Sequence, residues 1–481
     1  MKKRFVTNLF FLLTLNILIK SFWILGVDRG IQNALPAEEY GLYFALLNFS
    51  FLFNILLDFG ITNYNNRVIA QHPHLLPKYM AQLVPIKFGM AIVFTVIVTI
   101  AAITLGYNAH AMKLIGVMCL SQFFASLLLY LRSNVSGLLM FKTDSVLSVL
   151  DRFIVIILCS ILLWSGLLKT GFKIEYFVYA QLISYILAVL VAFTICIRKA
   201  GFIRLSWNYP FIVKIIKDSY PYALLVLLMT FYNRVDSVMI ERMINNGAEQ
   251  SGIYASAFRL VDAVNMIAYL FSVILLPLFS RLIHKKEDIK PIVKISFHLL
   301  LLLTVCFVIL SQFYGFDLMN LMYNKHIQES SSVFRILSCC FIPISMTYIF
   351  GTLLTANGSM KYLNMVAGLG MVLNIGINLF LVPRFYALGA AYSSLIAQTI
   401  TALLQALIAM KIFKIKFNIS YALRIVLFIA SLILSANLLQ NITTSWVNNI
   451  LITGLTMIAL SFVFGIFKIK EVMSLLKASK E

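Results

Sequence analysis

The chain is a succession of apolar runs, many of them about 20 residues long, separated by short polar stretches. Apolar residues make up 61% of its 481 residues, and charged residues make up only 12%. A water-soluble domain could not bury that much apolar surface, whereas a helix that crosses a bilayer needs it. We therefore predict an all-α polytopic membrane protein.

Fourteen runs are long enough to span the bilayer. The predicted spans are 5–27, 41–60, 83–106, 112–131, 148–168, 176–197, 220–243, 252–280, 292–315, 331–355, 362–382, 389–410, 421–440 and 449–467. The first is longer than the apolar region of a signal peptide, so we expect it to be retained. Lys and Arg concentrate in the loops on the side of the N-terminus, which predicts that both termini are cytoplasmic.

The longest basic connection, residues 198–219, lies between the sixth and seventh spans. Its alternating apolar and basic residues predict a linker helix in the headgroup layer, with a plain basic loop as the alternative. It separates a six-helix lobe at 1–197 from a second six-helix lobe at 220–410. Residues 411–481 are expected to add two further helices and a basic cytoplasmic tail.

A short internal repeat supports two related lobes. EEYGLY at Glu38–Tyr43 opens the second predicted span, and EQSGIY at Glu249–Tyr254 opens the eighth. An even number of spans separates the copies, so both have the same membrane topology. The lobes are therefore predicted to be related by a pseudo-two-fold axis along the membrane normal.

Three basic residues lie deep inside the predicted spans. Helical rise places Lys20, Arg234 and Arg259 at ~20 to ~23 Å from the cytoplasmic side. Ionisable residues are expensive in a bilayer, so this shared depth predicts an anion-binding cavity. The alternative is that Lys20 reaches the outer surface, Arg259 pairs with Asp262 and Arg234 pairs with Glu241.

Polar residues near these cations extend the candidate site. Asn16 and Trp23 share a helix face with Lys20, which suits the lining of a cavity better than contact with lipid.

A second polar set contains Asp236, Asn374 and Asn378, with Ser393 or Ser394 from the twelfth predicted span, 389–410. These residues supply oxygen ligands for a small cation or a path for a proton, that is, for an ion whose gradient drives transport. Glu241 and Asp262 are further candidates for binding such a coupling ion. Ordinary hydrogen bonding between helices is the alternative for the amides and serines.

Several function classes are disfavoured. The net charge of +21 comes from short loops between apolar runs rather than from a basic surface with stacking aromatics, so no nucleic-acid partner is expected. The cysteines and histidines lack metal-ligand spacing, and there is no phosphate-binding loop or nucleophile elbow. Transport is therefore favoured over catalysis. We expect no cofactor beyond a coupling ion, and we expect membrane lipids to surround the helices.

Three stretches carry a resemblance to a known family. They are EEYGLYFALLNFSFLFNILLDFGI at 38–61, RVDSVMI followed by SGIYASAFRL within 234–260, and LVPRFYALGAAYSSLIAQ at 381–398. They resemble the polysaccharide flippase branch of the multidrug/oligosaccharidyl-lipid/polysaccharide exporter superfamily. Within it the chain is most similar to the Wzx-type flippases of O-antigen and capsule repeats, and the similarity covers essentially the whole chain.

The resemblance implies two six-helix lobes around a central cavity, which rock to give alternating access. The implied cargo is undecaprenyl-pyrophosphate-linked oligosaccharide, moved across the inner membrane and driven by a proton or sodium gradient. Glycosyltransferases and a glycan polymerase are the expected partners. Lys20, Arg234 and Arg259 would face the pyrophosphate or acidic sugars. The set Asp236, Asn374 and Asn378 resembles a cation site of related lipid II flippases, with Asn where one acid is expected.

Three alternatives remain open. Multidrug antiporters of this superfamily usually have twelve spans and an acid in the first lobe, whereas the first span here carries Lys20 and no acid. A lipid II flippase is also compatible, although the clustered arginines expected in its first span are absent. A structural component of a glycan assembly complex would have no use for deep charges.

Overall fold

The computed structural model describes residues 15–16, 18–19, 21–165, 171–201, 204–206, 209–415, 419–440, 442 and 445–465. Within these ranges every regular element is a helix, which confirms the predicted fold class. Ten helical stretches there are long and apolar enough to cross a membrane, and a further apolar helix, Leu423–Leu439, is shorter. The first predicted span, 5–27, lies largely outside the described residues. The chain is an all-α polytopic membrane protein.

The elements are, in chain order, a π-helical turn (Trp23–Asp28), α1 (Arg29–Ala34), α2 (Ala37–Leu52), a 3-10 turn (Asn54–Leu57), α3 (Ile61–Gln71), a 3-10 turn (Pro73–Leu75), α4 (Leu76–Thr104), α5 (Ala109–Gly137), α6 (Phe141–Trp164), α7 (Ile174–Ala200), α8 (Tyr209–Met243), α9 (Gly247–Lys285), α10 (Lys290–Met322), α11 (Ile327–Cys339), α12 (Phe341–Ala356), α13 (Met360–Ile412), α14 (Ile419–Leu439) and α15 (Trp446–Val463).

The predicted second span, 41–60, is not one helix. After α2 comes a 3-10 turn and then two residues with left-handed backbone, Phe59 (φ 44°) and Gly60 (φ 79°). A left-handed residue ends a helix, and glycine adopts that conformation at little steric cost. The carboxylate of Asp58 accepts the amide hydrogen of Thr62 at 3.3 Å, which satisfies one donor in the first turn of α3. The prediction of a continuous span is wrong here, because apolar composition does not record a backbone break.

The predicted spans 362–382 and 389–410 are the two arms of α13. Tyr386 (φ 55°, ψ −135°) breaks the run between them, shortly after Pro383. A Cβ on Gly389 would lie 2.3 Å from the carbonyl oxygen of Leu381, so only glycine permits the two arms to turn this closely. Two separate helices are therefore present, as predicted.

The linker, residues 198–219, is attached to α4. Pro85 lies inside that helix and has no amide hydrogen, so it frees the carbonyl of Ala81 one turn earlier. Ser206 of the linker donates its backbone N–H to that carbonyl at 3.0 Å. From Tyr209 onward the linker belongs to α8, which continues into the predicted seventh span, because a helix can continue past a proline such as Pro221 with the loss of one hydrogen bond. The position of the linker in the headgroup layer stays a prediction.

The chain divides into two compact units, Met1–Gly252 and Ile253–Glu481, called the first and second unit below. In the first unit, α3, α4, α5, α6 and α7 contribute to an apolar cluster that includes the fully buried Tyr130. In the second unit, α14 and α15 pack on α10, where Leu432 and Met457 are completely buried. Each unit thus has its own core, and the lobe boundaries taken from the sequence stay a prediction.

The two copies of the internal repeat open α2 and α9, and they meet through their glycines. A Cβ on Gly41 would lie 1.8 Å from the carbonyl oxygen of Ala248. A Cβ on Gly252 would lie 2.2 Å from the carbonyl oxygen of Ala37. The contact is therefore reciprocal and at backbone distance, which small residues allow between membrane helices.

Candidate functional site

Arg234 lies inside α8 and is half-buried. Its Nη1 donates to Oδ1 of Asn48 at 3.3 Å, and its guanidinium carbon lies 5.5 Å from the ring centre of Phe51. Asn48 and Phe51 are three residues apart on α2, so they share a face of that helix. The Asn48 amide is itself oriented, because its Nδ2 donates to the carbonyl of Phe44 at 3.0 Å. Two neutral side chains of α2 therefore position a cation that α8 supplies.

Glu241 does not neutralise Arg234. It forms an ion pair with its neighbour Arg242 and accepts a hydrogen bond from the Tyr107 hydroxyl at 3.2 Å. Arg242 lies 3.8 Å above the centre of the Tyr107 ring and donates to the carbonyl of Leu105 at 3.2 Å. These contacts tie the end of α8 to the loop between α4 and α5. The coupling role suggested for Glu241 stays a prediction.

Tyr107 lies outside the membrane-spanning helices, and its pKa can be used to test the contact with Glu241. Burial, and secondarily the negative charge of Glu241, raise the pKa of Tyr107 above its ordinary value of about 10. A raised pKa in the folded state means that the phenol stabilises the fold fully below about pH 10, and that this contribution is lost as the pH rises further. We expect the absorbance difference between the wild type and Tyr107→Phe, recorded as the pH is raised, to show a phenolate. It should form at a higher pH than the phenolates of the exposed tyrosines. Ionisation near pH ~10 would contradict the buried contact.

Of the residues predicted around the first span, Lys20 lies outside the described residues. Asn16 donates to the hydroxyl of Ser148 on α6 at 2.9 Å. Trp23 is only 5% exposed and stacks on Phe177 of α7, with ring centres 5.7 Å apart. Asn16 and Trp23 thus contact α6 and α7 within the first unit, and their role as cavity lining stays a prediction.

A buried carboxylate at the end of the first span was missed in the sequence. Asp28 is 0% exposed and lies in the π-helical turn. Its Oδ1 accepts a hydrogen bond from the Tyr40 hydroxyl at 3.0 Å, and its Oδ2 accepts one from Nε2 of Gln32 at 3.0 Å. The predicted span 5–27 stopped one residue short of it, although span boundaries are uncertain by a few residues. An acid that close to the boundary should have been counted with the span.

The polar set proposed for a coupling ion is distributed over both units. Asp236 is 1% exposed on α8, in the first unit. Asn374 and Asn378 are completely buried on α13, in the second unit, and Nδ2 of Asn378 donates to Oδ1 of Asn374 at 3.2 Å. The Ser393 hydroxyl donates to the carbonyl of Gly389 at 3.0 Å, a bond within its own helix. The joint cation site stays a prediction.

Arg259 and Asp262 are half-buried on α9, in the second unit. Asp262 has no ion-pair partner among the described residues, so the pairing of these two that the sequence allowed is not formed. The roles of Arg259 as a cavity cation and of Asp262 as a coupling residue stay predictions.

These features define a class of protein. Ionisable and amide side chains buried inside membrane-spanning helices are characteristic of transporters, where they mark substrate or ion pathways. Residues 5–284, more than half of the chain, match the family of polysaccharide biosynthesis proteins, and the chain belongs to that family. No curated protein matches the chain significantly.

Solved structures share the fold at low sequence identity. The lipid II flippase MurJ in an inward closed conformation has a TM-score of 0.70 and 15% identity, covering 93% of this chain and 97% of that one. An inward-facing multidrug resistance MATE family transporter of the MOP superfamily has a TM-score of 0.62 and 16% identity, covering 81% and 94%. A MOP superfamily transporter from Pyrococcus furiosus Vc1 has a TM-score of 0.60 and 15% identity, covering 85% and 95%. The chain therefore has the fold of these transporters.

Proposed function

We propose that the chain is a Wzx-type flippase that moves undecaprenyl-pyrophosphate-linked oligosaccharide repeat units across the inner membrane. Its family concerns polysaccharide biosynthesis, and its fold is that of a lipid II flippase, so both support a lipid-linked glycan as cargo. The observation that carries the proposal is Arg234, a guanidinium inside a membrane-spanning helix that is oriented by Asn48 and Phe51. In this proposal Lys20 and Arg259 complete the cationic cavity.

The chemistry of Arg234 suits a pyrophosphate. A guanidinium presents N–H donors in a planar fork that matches two phosphate oxygens, and it keeps its charge at every physiological pH. The hydrogen bond to Asn48 and the ring of Phe51 orient that plane before the cargo arrives. An oriented donor loses less conformational entropy on binding than a mobile one, so affinity increases.

Transport in this proposal follows alternating access and is coupled to a proton or sodium gradient. Asp236, Asn374 and Asn378 are the proposed coupling site, with Glu241 and Asp262 as further candidates. Glycosyltransferases supply the lipid-linked oligosaccharide, and a polymerase consumes it on the other side. The protein lies in the inner membrane with both termini in the cytoplasm.

The test measures binding and flipping with purified protein. Arg234→Ala is expected to weaken binding of farnesyl pyrophosphate by about thirtyfold or more, since losing one partner of a desolvated charge pair costs about 2 to 5 kcal/mol. Asn48→Asp is also expected to weaken binding of farnesyl pyrophosphate, because the new carboxylate would pair with the guanidinium of Arg234 and compete with the pyrophosphate. Both variants should slow the flipping of a fluorescent undecaprenyl-pyrophosphate oligosaccharide in vesicles of phosphatidylethanolamine and phosphatidylglycerol.

Arg384→Ala is the matched control. Arg384 is exposed near the break in α13, so its loss removes one positive charge without touching α2 or α8. It should bind and flip as the wild type does. Wild-type affinity and flipping in both Arg234→Ala and Asn48→Asp would refute the role of Arg234 in cargo binding.

A cation antiporter is the second candidate, and Asp28 is the observation that favours it. The sequence argument against an antiporter was the absence of an acid from the first span, yet Asp28 is completely buried directly after it. A buried acid can exchange a proton for a cationic substrate. Efflux of ethidium from vesicles that depends on Asp28, together with no flipping of the lipid-linked oligosaccharide, would favour the antiporter.

A further inference from the structure

Arg335 is a cation of the second unit that the proposed cargo site does not use. It lies on α11, eight residues after Ile327, and so ~12 Å along the helical stretch Ile327–Ala356, which is long and apolar enough to cross the membrane. A guanidinium inside a membrane-spanning stretch is expensive unless anions or hydrogen-bond acceptors compensate its charge. Arg335 therefore needs such a group.

The described part of the chain does not supply that group. The Nε of Arg335 is buried and has no hydrogen-bond acceptor among the described residues. Glu329, an acid of the same helix, has its carboxylate 3.9 Å from Nδ1 of His326 instead. Neither Asp317 of α10 nor any other described acid forms an ion pair with Arg335. The acceptor for Arg335 has to come from a ligand.

Two arginines within helices of the first unit differ from Arg335 at the same atom. Nε of Arg132 lies 2.9 Å from Oδ1 of Asp144, and Nε of Arg152 lies 3.4 Å from Oδ2 of Asp151. Both therefore have a carboxylate of the protein as their partner.

The position of Arg335 is nevertheless fixed. Its backbone carbonyl accepts a hydrogen bond from Nε2 of Gln312 on α10 at 2.9 Å, which holds α11 against α10 at this residue. A Cβ on Gly315 of α10 would lie 3.3 Å from Cγ of Arg335 and 3.5 Å from its Nε, so the side chain passes over a glycine that leaves room for it. A side chain held in this way loses less conformational entropy on binding a ligand than a mobile one.

Arg335 also lies on the accessible face of α11. The half-buried residues from the second turn of α11 onward share one face of the helix, and they are Ser332, Arg335, Ile336 and Cys339. The residues between them are buried. A lipid beside this face would place its phosphate against the guanidinium and its acyl chains against Ile336. The face therefore suits a phosphate-bearing lipid better than a small soluble anion.

We propose that Arg335 binds the phosphate group of a lipid, as an anion site of the second unit. A planar guanidinium offers its Nε–H and a terminal N–H side by side, and these two donors match two oxygens of a phosphate. A membrane phospholipid and the pyrophosphate-linked cargo share this chemistry. Only the cargo as ligand rests on the proposed flippase function.

The test compares full-length wild type, Arg335→Gln and Arg335→Lys by native mass spectrometry, which counts the lipids bound to each protein. The probes are dioleoyl phosphatidylglycerol, farnesyl pyrophosphate and dioleoylglycerol, which has no phosphate. Arg335→Gln should bind at least one of the two phosphate-bearing probes about tenfold more weakly, because it loses hydrogen bonds to a charged group. Arg335→Lys should keep part of the affinity, since it keeps the charge but lacks the fork. Dioleoylglycerol should bind all three proteins equally.

Arg384→Gln is the matched control, because it removes an exposed arginine of the second unit. It should bind every probe as the wild type does. Equal affinity of the wild type and Arg335→Gln for both phosphate-bearing probes would overturn the proposal. Weaker binding of phosphatidylglycerol alone would identify a phospholipid as the ligand, and weaker binding of farnesyl pyrophosphate alone would identify the cargo. Wild-type binding of farnesyl pyrophosphate by Arg234→Ala would count against the proposed function and leave the phosphatidylglycerol result for Arg335 unchanged.

Melting temperatures separate ligand binding from a structural role of Arg335. Glutamine keeps the Cγ that passes over Gly315, and no acceptor within the protein is lost. Delipidated Arg335→Gln is therefore expected to melt no lower than the delipidated wild type. Phosphatidylglycerol should raise the melting temperature of the wild type more than that of Arg335→Gln if it is the ligand, because a ligand of the folded state stabilises it. A delipidated Arg335→Gln that melts below the delipidated wild type would show that the protein itself holds the guanidinium, and the proposal would fail.

Discussion

Lys87→Met is expected to lower the yield and the thermal stability of the folded protein. Lys87 is 1% exposed on α4, and its ammonium donates to Oδ1 of Asp58 at 2.6 Å and to the carbonyl of Leu57 at 2.8 Å. In the variant, the carbonyl of Leu57 loses one of its two donors and Asp58 loses its counter-ion. Since the Asp58 side chain is 31% exposed, water screens part of the remaining charge, and we expect a loss of about 1 to 3 kcal/mol. Folded proteins are stable by only about 5 to 15 kcal/mol, so the loss is a large fraction of the total. The yield and thermal stability of the detergent-solubilised variant, measured by size-exclusion chromatography after heating, test this expectation.

Two further variants test whether the loss of stability comes from the ion pair between Lys87 and Asp58. Lys78→Met changes an exposed lysine of the same helix and should leave stability within about 0.5 kcal/mol of the wild type. Adding Asp58→Asn to Lys87→Met should restore much of the loss, because both charges are then absent. If Lys87→Met is as stable as Lys78→Met, the ion pair does not stabilise the break.

Gly41→Ala is expected to prevent the close approach of α2 and α9. The new Cβ would lie 1.8 Å from the carbonyl oxygen of Ala248 and 2.4 Å from the amide nitrogen of Gly252. Both neighbours are backbone atoms, so the helices themselves have to separate. Overpacking typically costs about 1 to 3 kcal/mol, and we expect about 3 because no flexible side chain can yield. Thermal stability of the purified variant measures the loss.

Gly116→Ala is the matched control for this change. Gly116 lies inside α5, and nothing stands within 4 Å of the position its Cβ would take. Alanine is a better helix former than glycine by about 1 kcal/mol, so Gly116→Ala should be neutral or slightly stabilising. Equal stability of Gly41→Ala and Gly116→Ala would show that the crossing tolerates a side chain.

The cations of the candidate site could be predicted from the sequence, but their partners could not. Arg234 was recognised because a charge inside an apolar run is visible in one dimension. Its hydrogen-bond partner Asn48 is 186 positions away, and no local pattern points to it. The nearer acid Glu241 was a reasonable candidate by helical spacing, yet it pairs with Arg242, which is adjacent and shares the contact with Tyr107.

Lys87 is a second charge whose partners could not be predicted from the sequence. Lys87 lies within the predicted span 83–106, close to its beginning, and nothing in its own helix indicates a role. Its three acceptors are Leu57 at the end of the 3-10 turn, Asp58 directly after it and Ser126 on α5, and only packing brings them together. Asp28 was missed for a simpler reason, since the end of an apolar run does not mark the end of the buried segment.

The sequence by itself determined that this chain is an all-α membrane protein, that its later apolar runs include two helices at 362–382 and 389–410, and that charges lie inside its spans. These properties depend on local composition, because lipid excludes unsatisfied backbone and so makes each apolar run a helix. Only the tertiary structure decided where the second span breaks, which side chains hold Arg234 and Lys87, and that Gly41 and Gly252 meet. Those outcomes depend on contacts between residues far apart in the chain, whose energies are set by packing and hydrogen bonding in three dimensions.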